Sequence, residues 1–154
     1  MIEEGEKVPK FQVNDSNGNK VKSSDFKGKK HVIYFYPKDF TPGCTTEADE
    51  FAKDYKKFQK EGIEIVGVSP DDVESHKKFC DKMEIKFPLL ADVDKEISKS
   101  FGVWGLKKFM GREYMGVMRS TFLVDEKGKI FKIYPKVKPA GHAKQVFEDF
   151  KNLE

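Results

Sequence analysis

Arginine and cysteine are nearly missing from this 154-residue chain: only Arg112 and Arg119 among 29 basic residues, and only Cys44 and Cys80. Two cysteines do not make a disulfide-stapled scaffold, and in a reducing compartment they read as reactive or merely buried. With three histidines beside them, no metal-ligand spacing appears. Long apolar runs are also missing, so no stretch reads as a membrane span. The N-terminus Met1-Ile2-Glu3-Glu4-Gly5 is acidic where a secretory signal would be basic and then apolar, which leads us to expect a cytoplasmic protein. Charge of one sign is scarce as well. Although 36% of residues are charged, the net charge is +3 and the lysines are scattered, which argues against nucleic-acid or membrane partners.

What is present is a core. Hydrophobic residues make up 38% of the chain and aromatics 13%, with 14 phenylalanines, enough for one domain over residues 1–154. Alternation around Asn17-Gly18 predicts a hairpin at 11–21. The near-continuous apolar runs 31–36 and 63–68 read as strands buried on both faces. Helical spacing of Ala48, Phe51, Ala52, Tyr55 and Phe58 predicts a helix from about 44 to 60. A second helix to about 84 is expected to start at Ser69-Pro70, with Ser as cap and Pro in the first turn. A short extended piece at 87–92, a short helix at 95–101, strands at 119–124 and 129–134 and a helix at 140–152 complete the order. The pattern is an α/β fold with a mixed central sheet flanked by helices, as in a thioredoxin-like fold with an N-terminal hairpin extension.

The chemistry concentrates in Pro37-Lys38-Asp39-Phe40-Thr41-Pro42-Gly43-Cys44, directly after the first buried strand. This run sets Cys44 in the first turn of a helix. The reactive form of cysteine is the thiolate, and unpaired N–H groups at a helix start stabilise that anion. Arg119 stands out in a lysine-rich chain: a planar donor that stays charged can stabilise a thiolate and hold an oxygen in fixed geometry. Arg112, in a Gly-rich segment, reads as a solvated charge. Asp39 and Glu47 flank Cys44, and as acidic neighbours would oppose a thiolate if close; capping or dipole roles suit them better. His31, His76 and His142 read as structural or surface residues.

Pro37, Thr41 and Cys44 fit the Pro-x-x-x-Thr-x-x-Cys signature of peroxiredoxins. The longer string Phe35 to Ala48, with segments 87–92, 111–116 and 119–123, resembles the peroxiredoxin Q, or bacterioferritin comigratory protein, subfamily over essentially the whole chain. The resemblance implies a thiol peroxidase without bound cofactor or metal, acting on hydrogen peroxide and alkyl hydroperoxides. Cys44 would be the peroxidatic cysteine, Thr41 would place its hydroxyl beside the sulfur, Pro37 would shield it, and Arg119 would be the active-site arginine. Many members carry a second cysteine five residues on; here that position is Asp49. Cys80 resembles the variant in which the resolving cysteine sits in the later helix. An intramolecular Cys44–Cys80 disulfide, a thioredoxin-like reductant and a monomer follow from that variant. A one-cysteine peroxidase, with Cys80 a core residue, and a redox-sensing or chaperone-like protein remain alternatives. A Cys-x-x-Cys oxidoreductase is disfavoured, because Glu47 stands three residues after Cys44.

Overall fold

A computed structural model describes residues 1–153. The N-terminal hairpin pairs β1 (Gln12–Asn14) with β2 (Lys20–Lys22). Its turn is closed by Asp15, whose Oδ1 accepts from the backbone of Asn17 and Asn19. A 3-10 turn at Ser23–Phe26 leads into β3 (Lys30–Phe35), followed by α1 (Pro42–Lys60), β4 (Ile63–Ser69), α2 (Val73–Met83) and β5 (Leu89–Ala91). After α3 (Glu96–Ser100) come β6 (Trp104–Phe109), β7 (Arg112–Val117), β8 (Ser120–Val124), β9 (Ile130–Tyr134) and α4 (His142–Lys151).

Five strands form the central sheet in the order β5-β4-β3-β8-β9. The β3–β4 and β4–β5 pairs are parallel, joined by the helical crossovers that parallel pairing requires, while β3–β8 and β8–β9 are antiparallel. The period of two in β3 sends its side chains alternately to two cores. Val32, Tyr34 and Tyr36 join Phe51, Phe58, Phe79, Val146 and Phe150 under α1, α2 and α4, whereas Ile33 and Phe35 join Ile97, Phe101 and Phe122 on the other face. Both-face burial of 31–36 and 63–68 is therefore as the sequence implied. Gly67 makes one layer of this possible. A Cβ there would lie 2.9 Å from the Tyr34 ring and 2.6 Å from Leu89, so only glycine leaves room for the tyrosine.

Two helix starts and one hairpin are the main departures from the sequence reading. The second helix does not start at Ser69-Pro70: Ser69 closes β4, paired with Ala91, and Asp72 is the N-cap, accepting from Ser75 N at 2.8 Å. Sheet pairing there outcompetes a good local capping pattern. Helix α1 begins two residues earlier than expected, with Pro42 in its first turn, where a missing N–H costs nothing. The sequence pattern does not announce the β6–β7 hairpin, and Arg112, in its Gly-rich segment, opens β7 and pairs with Phe109. Its turn residues Met110 and Gly111 have φ of 51° and 79°, the left-handed pair that a tight hairpin turn needs.

Candidate active site

Helix α1 fixes Cys44 as its third residue, with Thr41 as N-cap and Pro42 in the first position. Its side chain is 1% exposed. Arg119 stands just before β8, an interior strand of the sheet; its backbone is held by Val137 N, which donates to Arg119 O at 3.0 Å. The guanidinium divides its donors: Nη2 donates to Cys44 Sγ at 3.2 Å and Nη1 to Glu47 Oε1 at 2.9 Å. Gly43 admits it, since a Cβ at that position would sit 3.0 Å from Nη2. A sulfur at a helix start, facing a permanent cation, is in the setting of an anionic nucleophile.

Glu47 is not the exposed dipole partner that its position near the helix start suggested. It is 1% exposed, ion-paired to Arg119, and its second oxygen Oε2 has no hydrogen-bond partner among the described residues. Burial pushes its carboxyl up to about 7, with the Arg119 charge pulling the other way. The i, i+3 spacing of Cys44 and Glu47 could have flagged it, since both fall on one helix face.

Asp39 also departs from the capping role. It is 3% exposed and gathers donors: Tyr36 Oη at 2.6 Å and Ser75 Oγ at 2.8 Å, with His76 Nδ1 paired at 2.8 Å. His76, wholly buried, reaches Leu90 O through Nε2 at 2.9 Å. His31 and His142 are buried as well, the latter with Nε2 at 2.8 Å from Thr121 Oγ1. The hydrogen bonds of the three histidines go to Lys29 O, Tyr36, Asp39, Leu90 O and Thr121, in keeping with structural roles.

Thr41 Oγ1 donates to Lys38 O at 2.8 Å, which leaves its lone pairs for an incoming donor. Pro37 is half-buried at the bend where β3 ends. Cys80 is in the last half of α2, half-buried, and lines a pocket with Asp15, Ser16, Tyr55, Glu64 and Phe87. Burial pushes its thiol up; the Ser16 hydroxyl opposes this, and Asp39, Asp81 and Asp15 add to it. Both cysteines are free. One further cation is Lys107 of β6, whose stem crosses Gly116 and whose Nζ donates to Val117 O at 2.9 Å. Burial and then the Arg119 charge hold its ammonium below the usual lysine range, while Cys44 pulls it up, so it shares the field of the site. One lysine among so many gave no signal of this.

The chain matches the AhpC/TSA family over residues 5–133. It is 45% identical to peroxiredoxin Bcp of Bacillus subtilis over 152 residues, covering 99% of this chain and 97% of the relative. Among solved structures, a Xanthomonas campestris bacterioferritin comigratory protein, described through its alkyl peroxide reduction activity, superposes with a TM-score of 0.88 at 39% identity, over 93% of this chain and 91% of that one. A cysteine-to-serine mutant of Xylella fastidiosa PrxQ reaches 0.94 at 33% identity, over 99% and 98%. With a buried cysteine at a helix start, an arginine on its sulfur and this likeness along its length, the chain belongs to the AhpC/TSA family, as a thiol peroxidase of the Bcp/peroxiredoxin Q kind.

Proposed function

We propose that Cys44 is the peroxidatic cysteine and Cys80 the resolving one, in a cycle closed by a thioredoxin-like dithiol. The Arg119–Cys44 hydrogen bond carries the first assignment. The thiolate attacks one peroxide oxygen, the O–O bond breaks, and the other oxygen leaves as water or alcohol after taking a proton. Sulfur loses two electrons and becomes a sulfenic acid. Charge builds along the O–O axis, where Arg119 is a fixed donor. Thr41, whose own proton is engaged by Lys38 O, accepts the peroxide O–H. Pro37 shapes the mouth of the loop.

In the second step the Cys80 sulfur attacks Cys44; an S–S bond forms, the S–O bond breaks and water leaves. The cysteines stand in separate helices, and burial disfavours the Cys80 thiolate in place. Local unwinding therefore serves two ends: it brings the sulfurs together and lets Cys80 ionise. The external dithiol then reduces the bridge and is itself oxidised. Hydrogen peroxide and alkyl hydroperoxides are the substrates, and the chain works as a single-domain monomer in the cytoplasm. The described residues contain no helix long and apolar enough to cross a membrane, which is compatible with that setting.

Turnover with thioredoxin and a reductase tests the scheme. Cys44→Ser should consume no peroxide. Cys80→Ser should give one stoichiometric burst and then stall. A Cys80→Ser protein that recycles at the normal rate would remove Cys80 from the cycle.

A further inference from the structure

The loop that carries Cys44 does not rest on the sheet alone; it is tied to the helix that carries Cys80. Asp39 lies five residues before Cys44, and its Oδ2 takes Ser75 Oγ and His76 Nδ1, both from the first turn of α2. Its backbone N donates to Asp71 Oδ2 at 2.9 Å, just before that helix. Tyr36 Oη completes the carboxylate from the end of β3. A second layer is apolar: Phe40, at φ 66°, sets its ring edge-on against Phe79 at 5.0 Å, and Tyr36 faces the same phenylalanine at 6.3 Å. Residues 36, 39 and 40 of the loop thus meet 75, 76 and 79 of α2, while His76 and Cys80 stand one turn apart on the same helix face.

We infer that this Asp39–Ser75–His76 network is a latch that sets how readily α2 gives up Cys80, making the three residues positioning residues for disulfide closure. The inference rests on Cys80 being the resolving cysteine. Both ring nitrogens of His76 face acceptor oxygens, on Asp39 and on Leu90, so the first turn of α2 is pinned to the Cys44 loop and to β5 together. Among the described residues, the side-chain hydrogen bonds from the loop reach only the first turn of α2; the other end stops at Glu84 in a left-handed conformation. Melting of the Cys80 turn is therefore resisted from its N-terminal side, and loosening the latch should favour closure over further oxidation of the sulfenic acid by a second peroxide.

Ser75→Ala is the discriminating variant. It removes one donor from Asp39 without stranding the carboxylate, which keeps Tyr36 and His76. Alanine is the better helix former, so a purely local effect would stiffen α2 and slow closure. The latch expects the opposite sign. Rapid-quench mass spectrometry, with sulfenic acid, disulfide and sulfinic acid each counted, should find closure about fivefold faster for the loss of one such bond. Sulfenic acid formation should stay within about twofold of wild type, because the Arg119 contact is untouched, and the sulfinic fraction at excess peroxide should fall. Asp39→Asn, which keeps an acceptor oxygen but loses the charge, should shift closure the same way. Unchanged or slower closure in both folded variants would overturn the latch while leaving Cys80 in its role. A wild-type protein that forms no Cys44–Cys80 bond would overturn that role and the latch together.

Discussion

A single guanidinium organises the reacting sulfur. Arg119 serves Cys44 with one nitrogen and Glu47 with another, and the missing Cβ of Gly43 leaves room for it. A lysine could supply charge there but not two directed donors at fixed separation. Arg119→Lys should therefore lower kcat/KM for peroxide by about a hundredfold, the loss seen when one oriented donor to a transition state is removed. Stopped-flow peroxide consumption would measure it; a loss under about threefold would mean that charge alone suffices. Tyr34 gives a stability counterpart. Its ring is wholly buried, stacked on Phe51 at 4.8 Å, while its hydroxyl has no hydrogen-bond partner among the described residues. An unpaired buried hydroxyl costs about 1–3 kcal/mol, so Tyr34→Phe should raise stability by about 1 kcal/mol in urea unfolding. Scarcity marks Cys44 and Arg119 in the sequence and the motif marks Thr41 and Cys44; the contact between Arg119 and Cys44 is what the fold adds. Glu47 reads as a solvated dipole partner because an acidic side chain near a helix start ordinarily is one; its i, i+3 spacing from Cys44 puts it on the same helix face, and the arriving arginine makes its burial tolerable.

Among the elements, α2 shows where local pattern misleads. Ser69-Pro70-Asp71-Asp72 contains two plausible caps, and the choice falls to Asp72 because β4 needs Ser69 as a ladder residue opposite Ala91. Asp72→Ala should then cost about 1 kcal/mol, the worth of a capping oxygen, whereas Ser69→Ala should leave the helix start in place. Amide exchange at Ser75 and His76 would separate the two. The β6–β7 hairpin escaped the sequence reading for a different reason. Leu106, Phe109, Tyr114 and Met115 are exposed, and lysines interrupt them, so no buried face impressed its period on the sequence. Helix α1 is legible because packing on the sheet impresses a helical period on it, and β3 and β4 because burial on both faces makes their apolar runs nearly continuous. Asp39 and His76 lie 37 residues apart, and a pair of that kind leaves no trace in local spacing.

For the whole molecule, three buried groups with displaced titration contribute to the response to acid. Burial lowers His142 to about 4 and also lowers His31, so between pH 4 and 6.5 the unfolded chain binds more protons at these sites. Their contribution is present at neutral pH and is lost as pH falls. Glu47, raised to about 7, has the opposite sign: its folded form takes up a proton first, so acidification from 7 toward its ordinary 4.5 returns stability. Two histidines against one carboxylate should leave net destabilisation on acidification, with His142 alone worth on the order of 2–3 kcal/mol. Tm followed from pH 7 to pH 4 should fall more gently in His142→Gln and more steeply in Glu47→Gln. A Glu47→Gln curve parallel to wild type would show that this carboxyl is already ionised across the range.

These scales meet in the claim that two sulfurs, far apart in the chain and held in different helices, are oxidised in turn. Intact-mass spectrometry of the reduced protein after one equivalent of hydrogen peroxide, with no reductant added, tests it most directly. The expected result is loss of two hydrogens, abolished by Cys44→Ser and by Cys80→Ser alike, with the latter retaining one added oxygen on Cys44. Wild-type protein that gains oxygen on Cys44 and forms no bridge would contradict it and leave a one-cysteine peroxidase with Cys80 as packing.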